Sequence, residues 1–226
     1  MTTIAGNLQT VHARIDSACR AAGRDPQTVQ LLAVSKTFGI GDIESALLAG
    51  QTRFGENYIQ EAVEKIQALR HRSIEWHCIG PIQSNKTRPV AEHFDWVQSL
   101  DRLKIAQRLS EQRPAHMPPL QVCIQVNTDG GPTKAGVAPA DLHALADAVR
   151  RLPRLVLRGL MTIPEPASDF ATALALHARA RDLFDALNAQ GFALDTLSMG
   201  MSADLDAAIG AGSTMVRVGT AIFGRR

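Results

Sequence analysis

Leu31-Leu32-Ala33-Val34-Ser35-Lys36 is an apolar run that ends on a lysine, and runs of this kind recur along the chain. They predict strands over 30–36, 53–55, 75–79, 96–99, 120–127, 156–163, 196–199 and 215–218. Helical patterns lie between them, at 40–49, 59–69, 86–92, 102–111, 139–151, 170–190 and 203–211. Strands that alternate with helices over short connections pair in parallel, because a parallel pair needs a crossover. Eight such strands predict a closed (β/α)8 barrel of the TIM type over an open doubly wound sheet. Residues 3–22 put Ile4, Leu8, Val11, Ile15, Ala18 and Cys19 on one stripe, which predicts an extra N-terminal helix flanking or capping the barrel. Gly23, Asp25 and Pro26 stop it. No linker or repeat divides the chain, so residues 1–226 are expected to form one α/β domain.

Composition narrows the function classes. A net charge of +2 without a Lys/Arg run, together with 4% aromatics, argues against nucleic-acid binding. No apolar segment is long enough for a bilayer, and Met1-Thr2-Thr3-Ile4-Ala5-Gly6 is no secretory signal. Cys19, Cys78 and Cys123 are scattered, as expected of buried reduced thiols in a reducing, cytoplasmic setting. Dispersed histidines, without Cys-x-x-Cys or His-x-x-x-His, give no metal pattern. Neither a Gly-x-Gly-x-x-Gly after the first strand nor a Gly-x-Ser-x-Gly elbow is present.

In such a barrel the functional groups collect at the C-terminal strand ends. Alternation puts Leu32, Val34 and Lys36 on one face; if that face is inward, a buried amine reaches the barrel mouth over an apolar floor. A free lysine near pKa ~10.4 is protonated at neutral pH, and burial would favour the neutral nucleophile that forms an imine. The bland alternative is a strand-end lysine snorkelling to solvent. Far along the chain, Ser198-Met199-Gly200-Met201-Ser202 and Gly219-Thr220 offer an anion site. Gly200 permits close backbone approach, Ser202 is expected to N-cap the helix at 203–211, and Thr220 follows the last strand. A lysine and a distant phosphate cradle point to pyridoxal 5′-phosphate, held as a Schiff base on Lys36.

Arg217 shares a face with Gly219 and needs an acceptor inside the barrel, either the pyridine nitrogen of that cofactor or a carboxylate. A permanently charged guanidinium at the nitrogen disfavours its protonation and weakens the ring as an electron sink. Asn57 either bonds the phenolic oxygen of the cofactor or caps the helix at Ile59. Met199 and Met201 are expected to pack beside the ring, and His77 to be a hydrogen-bonded core histidine. Gln83, Asn85 and Lys86 are candidates for the mouth, and Lys134 is expected at the surface or mouth.

Ala33-Val34-Ser35-Lys36-Thr37, Phe54-Gly55-Glu56-Asn57-Tyr58, the stretch from Trp76 to Lys86, Gly159-Leu160-Met161-Thr162-Ile163 and Leu197 to Leu205 closely resemble the pyridoxal phosphate homeostasis protein family. Gly219-Thr220-Ala221-Ile222-Phe223-Gly224 extends the resemblance to nearly the whole chain. The resemblance implies a barrel like the N-terminal domain of alanine racemase, with pyridoxal phosphate on Lys36. It also implies phosphate contacts from Ser202, Gly219 and Thr220, Arg217 facing the ring nitrogen, and Asn57 and Met199 at the ring. The family is thought to buffer and deliver the cofactor, so no catalytic residue is expected. Transient contact with apo-enzymes and a monomeric state are.

The alternative is a weakly active amino-acid racemase. Two-base racemization needs an acid/base opposite the lysine, which the alanine racemase pattern takes from a tyrosine on an appended β-domain. Tyr58 is the only tyrosine here and lies within the barrel sequence. A cofactor-free lysine aldolase would need carboxylates beside Lys36, and Glu56 is the one candidate. Two departures from the family pattern are Phe38-Gly39, expected to loosen the loop after Lys36, and an end at Arg226 without a lysine-rich tail.

Overall fold

The computed structural model describes residues 3–130 and 135–224. Eight strands form a closed barrel in sequence order: β1 (Gln30–Val34), β2 (Arg53–Glu56), β3 (Glu75–Cys78), β4 (Trp96–Leu100), β5 (Leu120–Gln125), β6 (Leu155–Met161), β7 (Thr196–Ser198) and β8 (Met215–Val218). Every neighbouring pair is parallel, and β8 closes on β1 with Gln30 opposite Met215 and Ala33 opposite Val218. The predicted TIM-type barrel is therefore present. It is wrapped by α1 (Ile4–Ala21), α2 (Ile40–Leu48), α3 (Ile59–Ala68), α4 (Thr87–His93), α5 (Leu103–Gln112), α6 (Pro139–Val149), α7 (Phe170–Ala189), α8 (Leu205–Gly210) and α9 (Thr220–Phe223).

The continuous apolar runs follow from burial on both faces, the usual state of a parallel strand. Ala33, Phe54, Trp76, Cys78 and Val97 face outward into one large apolar cluster with Ile43, Ala62, Val90 and Leu109 from the helices. The barrel interior differs. A small cluster of Trp96, Cys123 and Met161 lies apart from the main core, and the buried polar residues His77, Gln98, Ser198 and Arg217 are linked across the interior by hydrogen bonds.

The N-terminal helix α1 flanks the barrel. Thr3 caps it by accepting from Gly6 N, and the stripe from Leu8 to Cys19 is buried against α8 and α9. Its Arg14 forms an ion pair with Asp206 at 2.5 Å and donates to the Ser202 carbonyl at 2.6 Å.

Element ends depart from the sequence expectation where the chain turns at the C-terminal mouth. β1 stops at Val34, β5 at Gln125 and β6 at Met161. Beyond each, the chain must bend away from the sheet to enter its crossover. The helix expected at 203–211 begins at Leu205, with Asp204 and not Ser202 at its N-cap position. The short helix α9 was not expected. Lys134 and the terminal arginines lie outside the described residues.

Candidate binding site at the C-terminal mouth

A cavity of about 810 Å³ opens among the C-terminal strand ends, within the usual range for a small-molecule site. Lys36, Asn57, Ser202, Arg217, Gly219 and Thr220 all line it. Segments from opposite ends of the sequence thus meet in one cleft because β8 lies against β1.

Lys36 corrects one expectation. Its side chain is exposed at the cleft and not buried in the barrel, because β1 ends two residues earlier and the chain turns through Ser35 to Thr37. Thr37 holds a left-handed backbone with φ 67°, which is strained for a β-branched residue. The strain is fixed by two bonds: Thr37 N donates to Glu61 Oε1 at 2.7 Å, and Phe38 N donates to Ser35 O at 3.1 Å. The ring of Phe38 stacks on Phe223 of α9 at 4.9 Å. The loop expected to be loose is therefore tied to the C-terminal segment.

Beneath this turn lies a buried ionic cluster that the sequence reading missed. Lys65 Nζ donates to Ser35 O at 2.9 Å, Glu56 Oε1 at 2.8 Å and Glu61 Oε1 at 2.5 Å. Ser35 Oγ adds a bond to Glu56 Oε1 at 2.7 Å. Burial pushes the Glu56 carboxyl up, against the pull of Lys65 and Ser35, and among the described residues its Oε2 has no partner. The signal for Lys65 was available: it interrupts the buried face of α3, three residues after Ala62. Glu56 is thus spent on Lys65, so the carboxylate that an aldolase would need is engaged elsewhere.

The anion side is built differently from the expected helix cap. Ser202 sits in a turn before α8, with its carbonyl held by Arg14. Asp204 folds that turn by accepting from Met201 N at 2.7 Å and pairing with His177 Nε2 at 2.9 Å. Although burial alone would raise it, these bonds hold the Asp204 carboxyl below its ordinary value. Gly200 has φ 93°, and an added Cβ would lie 2.4 Å from Ala208 Cβ. Its glycine requirement therefore comes both from that backbone conformation and from packing on α8. On the other wall, Thr220 begins α9 immediately after Gly219, and both face the cleft.

Arg217 is buried on β8. Its Nη1 donates to Ser198 Oγ at 2.8 Å and its Nη2 to Thr162 O at 2.8 Å. Among the described residues it makes no ion pair with a carboxylate, and burial lowers its pKa to about 10. Asn57 sits in the bend after β2, and Tyr58 takes the N-cap position of α3 without a side-chain bond. The Asn57 Oδ1 is buried and, among the described residues, has no hydrogen-bond partner, while the residue lines the cleft. Gly80 fixes the bend, since a Cβ there would lie 2.1 Å from Asn57 O.

Met199 is fully buried in the main core, and Met201 is the methionine that lines the cleft. Gln83, at the start of the 3-10 turn Ser84–Lys86, and Asn85 and Lys86 within it are exposed and do not line the cavity. His77 is buried between Glu75 and Gln98. Tyr58 is 55% exposed and does not line the cleft. Among the described residues no group of three potential metal ligands occurs, and no helix is long and apolar enough to cross a membrane.

An open amine, two hydroxyls, a guanidinium and an unpartnered amide in one cleft suit a small anion that also carries a carbonyl. Residues 6–226 match the family model described as alanine racemase, N-terminal domain. A Pseudomonas aeruginosa protein named pyridoxal phosphate homeostasis protein is 61% identical over 226 residues, covering 100% of this chain and 97% of that protein. An Escherichia coli protein of the same name is 52% identical over 229 residues, covering 100% and 98%. PipY of Synechococcus elongatus, solved with PLP bound, is 38% identical with a TM-score of 0.85, over 98% of this chain and 100% of that one. Alanine racemase from Corynebacterium glutamicum shares the fold, at 17% identity and a TM-score of 0.67, over 97% of this chain and 61% of its own. The chain belongs to the alanine racemase N-terminal domain family and, within it, to the pyridoxal phosphate homeostasis proteins.

Proposed function

We propose that this chain binds pyridoxal 5′-phosphate in the cleft at the C-terminal mouth, attached to the Lys36 amine, and serves vitamin B6 homeostasis by holding the cofactor and handing it on. The observation that carries this reading is the convergence of Lys36 with Arg217, Ser202 and Thr220 on one cavity. When bound, the cofactor supplies an electrophilic aldehyde carbon and a phosphate handle. Lys36 provides the amine that meets the aldehyde. The hydroxyls of Ser202 and Thr220, with backbone N–H groups at Gly219 and Thr220, grip the phosphate. Arg217 would donate toward the ring nitrogen, and the Asn57 amide N–H would donate to the phenolic oxygen. Met201, already in the cleft wall, packs against the ring, and Met199 supports it from the core.

Residues 1–226 act as one binding domain, monomeric and cytoplasmic, whose partners are apo-enzymes met transiently. Holding without turnover is supported by two features. A permanent cation facing the ring nitrogen disfavours its protonation, which weakens carbanion chemistry. Tyr58 lies outside the cleft, so it offers no acid/base opposite Lys36.

The test is direct. Purified protein mixed with pyridoxal phosphate is expected to turn yellow, and Lys36→Ala to remain colourless. Loaded protein is expected to pass cofactor to apo-enzymes faster than a trap for free cofactor removes it. Incubation with single-enantiomer amino acids should leave optical purity intact; racemization at a useful rate would defeat the carrier reading.

A further inference from the structure

Arg217 is a buried cation that, among the described residues, makes no ion pair, although the Asp204 carboxylate raises its pKa against burial. Following its hydrogen bonds leads to the opposite end of the barrel. Glu75, at the start of β3, has a side chain 38% exposed at the N-terminal mouth, where Arg53 Nε approaches its Oε1 at 3.1 Å. An ionised carboxylate only accepts, so His77 Nε2, 2.9 Å from Glu75 Oε1, must carry a proton. His77 is fully buried, and burial pushes its pKa down although Glu75 pulls the other way. The imidazole is neutral, and Nδ1 must then accept.

The amide nitrogen of Gln98 lies 2.9 Å from that Nδ1 and 3.1 Å from the sulfur of Met215, two acceptors that fix the orientation of the amide. Gln98 Oε1 is left to accept from Ser198 Oγ at 2.7 Å. Ser198 Oγ in turn accepts from Arg217 Nη1 at 2.8 Å. Turning the Gln98 amide over would demand protons on both nitrogens of His77, a charge that its burial opposes. The direction of every bond is therefore set by the carboxylate at one end.

We propose that Ser198, Gln98, His77 and Glu75 form a one-way hydrogen-bond relay through the barrel that positions Arg217 at the cleft. All four act through Arg217 and are positioning residues. A column of aligned donors polarises each bond by its neighbours, so breaking any link weakens the hold on the guanidinium. The relay itself rests only on the geometry of the barrel; its consequence for cofactor retention rests on the function proposed above.

Two measurements on the full chain separate these. With ¹⁵N-labelled histidine, and assignment by loss of signal in His77→Gln, His77 is expected to be protonated at Nε2 and bare at Nδ1. Ser198→Ala is expected to shift the Nδ1 resonance, and Ser198→Thr, which restores a hydroxyl, to return it. A protonated Nδ1, or resonances indifferent to Ser198→Ala, would overturn the relay whether or not cofactor binds. In titrations with pyridoxal phosphate, Ser198→Ala and the volume-matched Gln98→Met are each expected to weaken binding about tenfold, the size of one lost hydrogen bond. Unchanged affinity in both would remove the relay from cofactor retention. A parent protein that binds no pyridoxal phosphate would defeat the proposed function and leave the histidine spectra to judge the relay.

Discussion

Lys36 and Lys65 are two amines at one corner of the barrel in opposite circumstances. Lys36 is exposed in the cleft wall and, among the described residues, makes no hydrogen bond or ion pair. Lys65 is 5% exposed and gives its three N–H groups to Ser35 O, Glu56 and Glu61. An ammonium with every donor spent has no lone pair to offer a carbonyl. Burial alone does not prepare a reactive amine; the partners around it decide. Here the buried lysine serves the open one. It holds Ser35 directly and Thr37 through Glu61, the two residues on either side of Lys36.

The largest effect is expected from removing the open amine. Lys36→Ala should abolish the yellow colour and any adduct fixed by borohydride, whereas Lys65→Arg should still be labelled at position 36. Mass spectrometry that finds the adduct on Lys65 would reverse the comparison. Removing the buried amine should act on stability instead. Lys65→Met strands the Glu56 carboxylate in the core and is expected to cost about 3–5 kcal/mol in urea unfolding. Ser202→Ala leaves both lysines in place and should weaken cofactor affinity by about 1–3 kcal/mol through one lost bond to the phosphate.

Smaller effects test the turn and the role of burial. Thr37→Gly relieves the left-handed strain but frees the unfolded chain, so stability should change by less than about 1 kcal/mol while colour develops more slowly. Cys78 and Cys123 show what burial does when it outweighs the charges around it, since it pushes both thiols up to about 12. Folded thiols keep their protons where unfolded thiols, near pKa ~8.5, release them. The native state then binds more protons, so stability is full below ~8.5 and falls as pH rises toward 12. Urea midpoints that hold steady across that interval would contradict the sign.

Most of the barrel was legible because buried parallel strands are short apolar runs, and β8 was placed to the residue. The convergence of Lys36, Asn57, Ser202, Arg217, Gly219 and Thr220 followed from reading their positions as C-terminal strand ends. Exposure of Lys36 was not legible. Alternation carries a face forward only while the strand lasts, and β1 ends at Val34. The Asp204 cap was hidden because its carboxylate answers His177, a partner on another helix. The work of Arg14 on Ser202 joins the first helix to a turn before α8, and no local pattern reports a contact of that span. The methionines show the same limit: alternation could not say that Met199 would face the core while Met201 lined the cleft.

The pairing of β1 with β8 has a consequence for how the protein matures. On the proposed reading, a growing polypeptide carries the Lys36 amine early, yet Gly219 and Thr220 of the phosphate site follow only after the final strand, which must pair with β1 to bring them together. An unfinished product would then lack part of the grip that the proposal gives the cofactor. Colour acquired by newly made protein would report ring closure, making the ligand an intrinsic gauge of completed assembly.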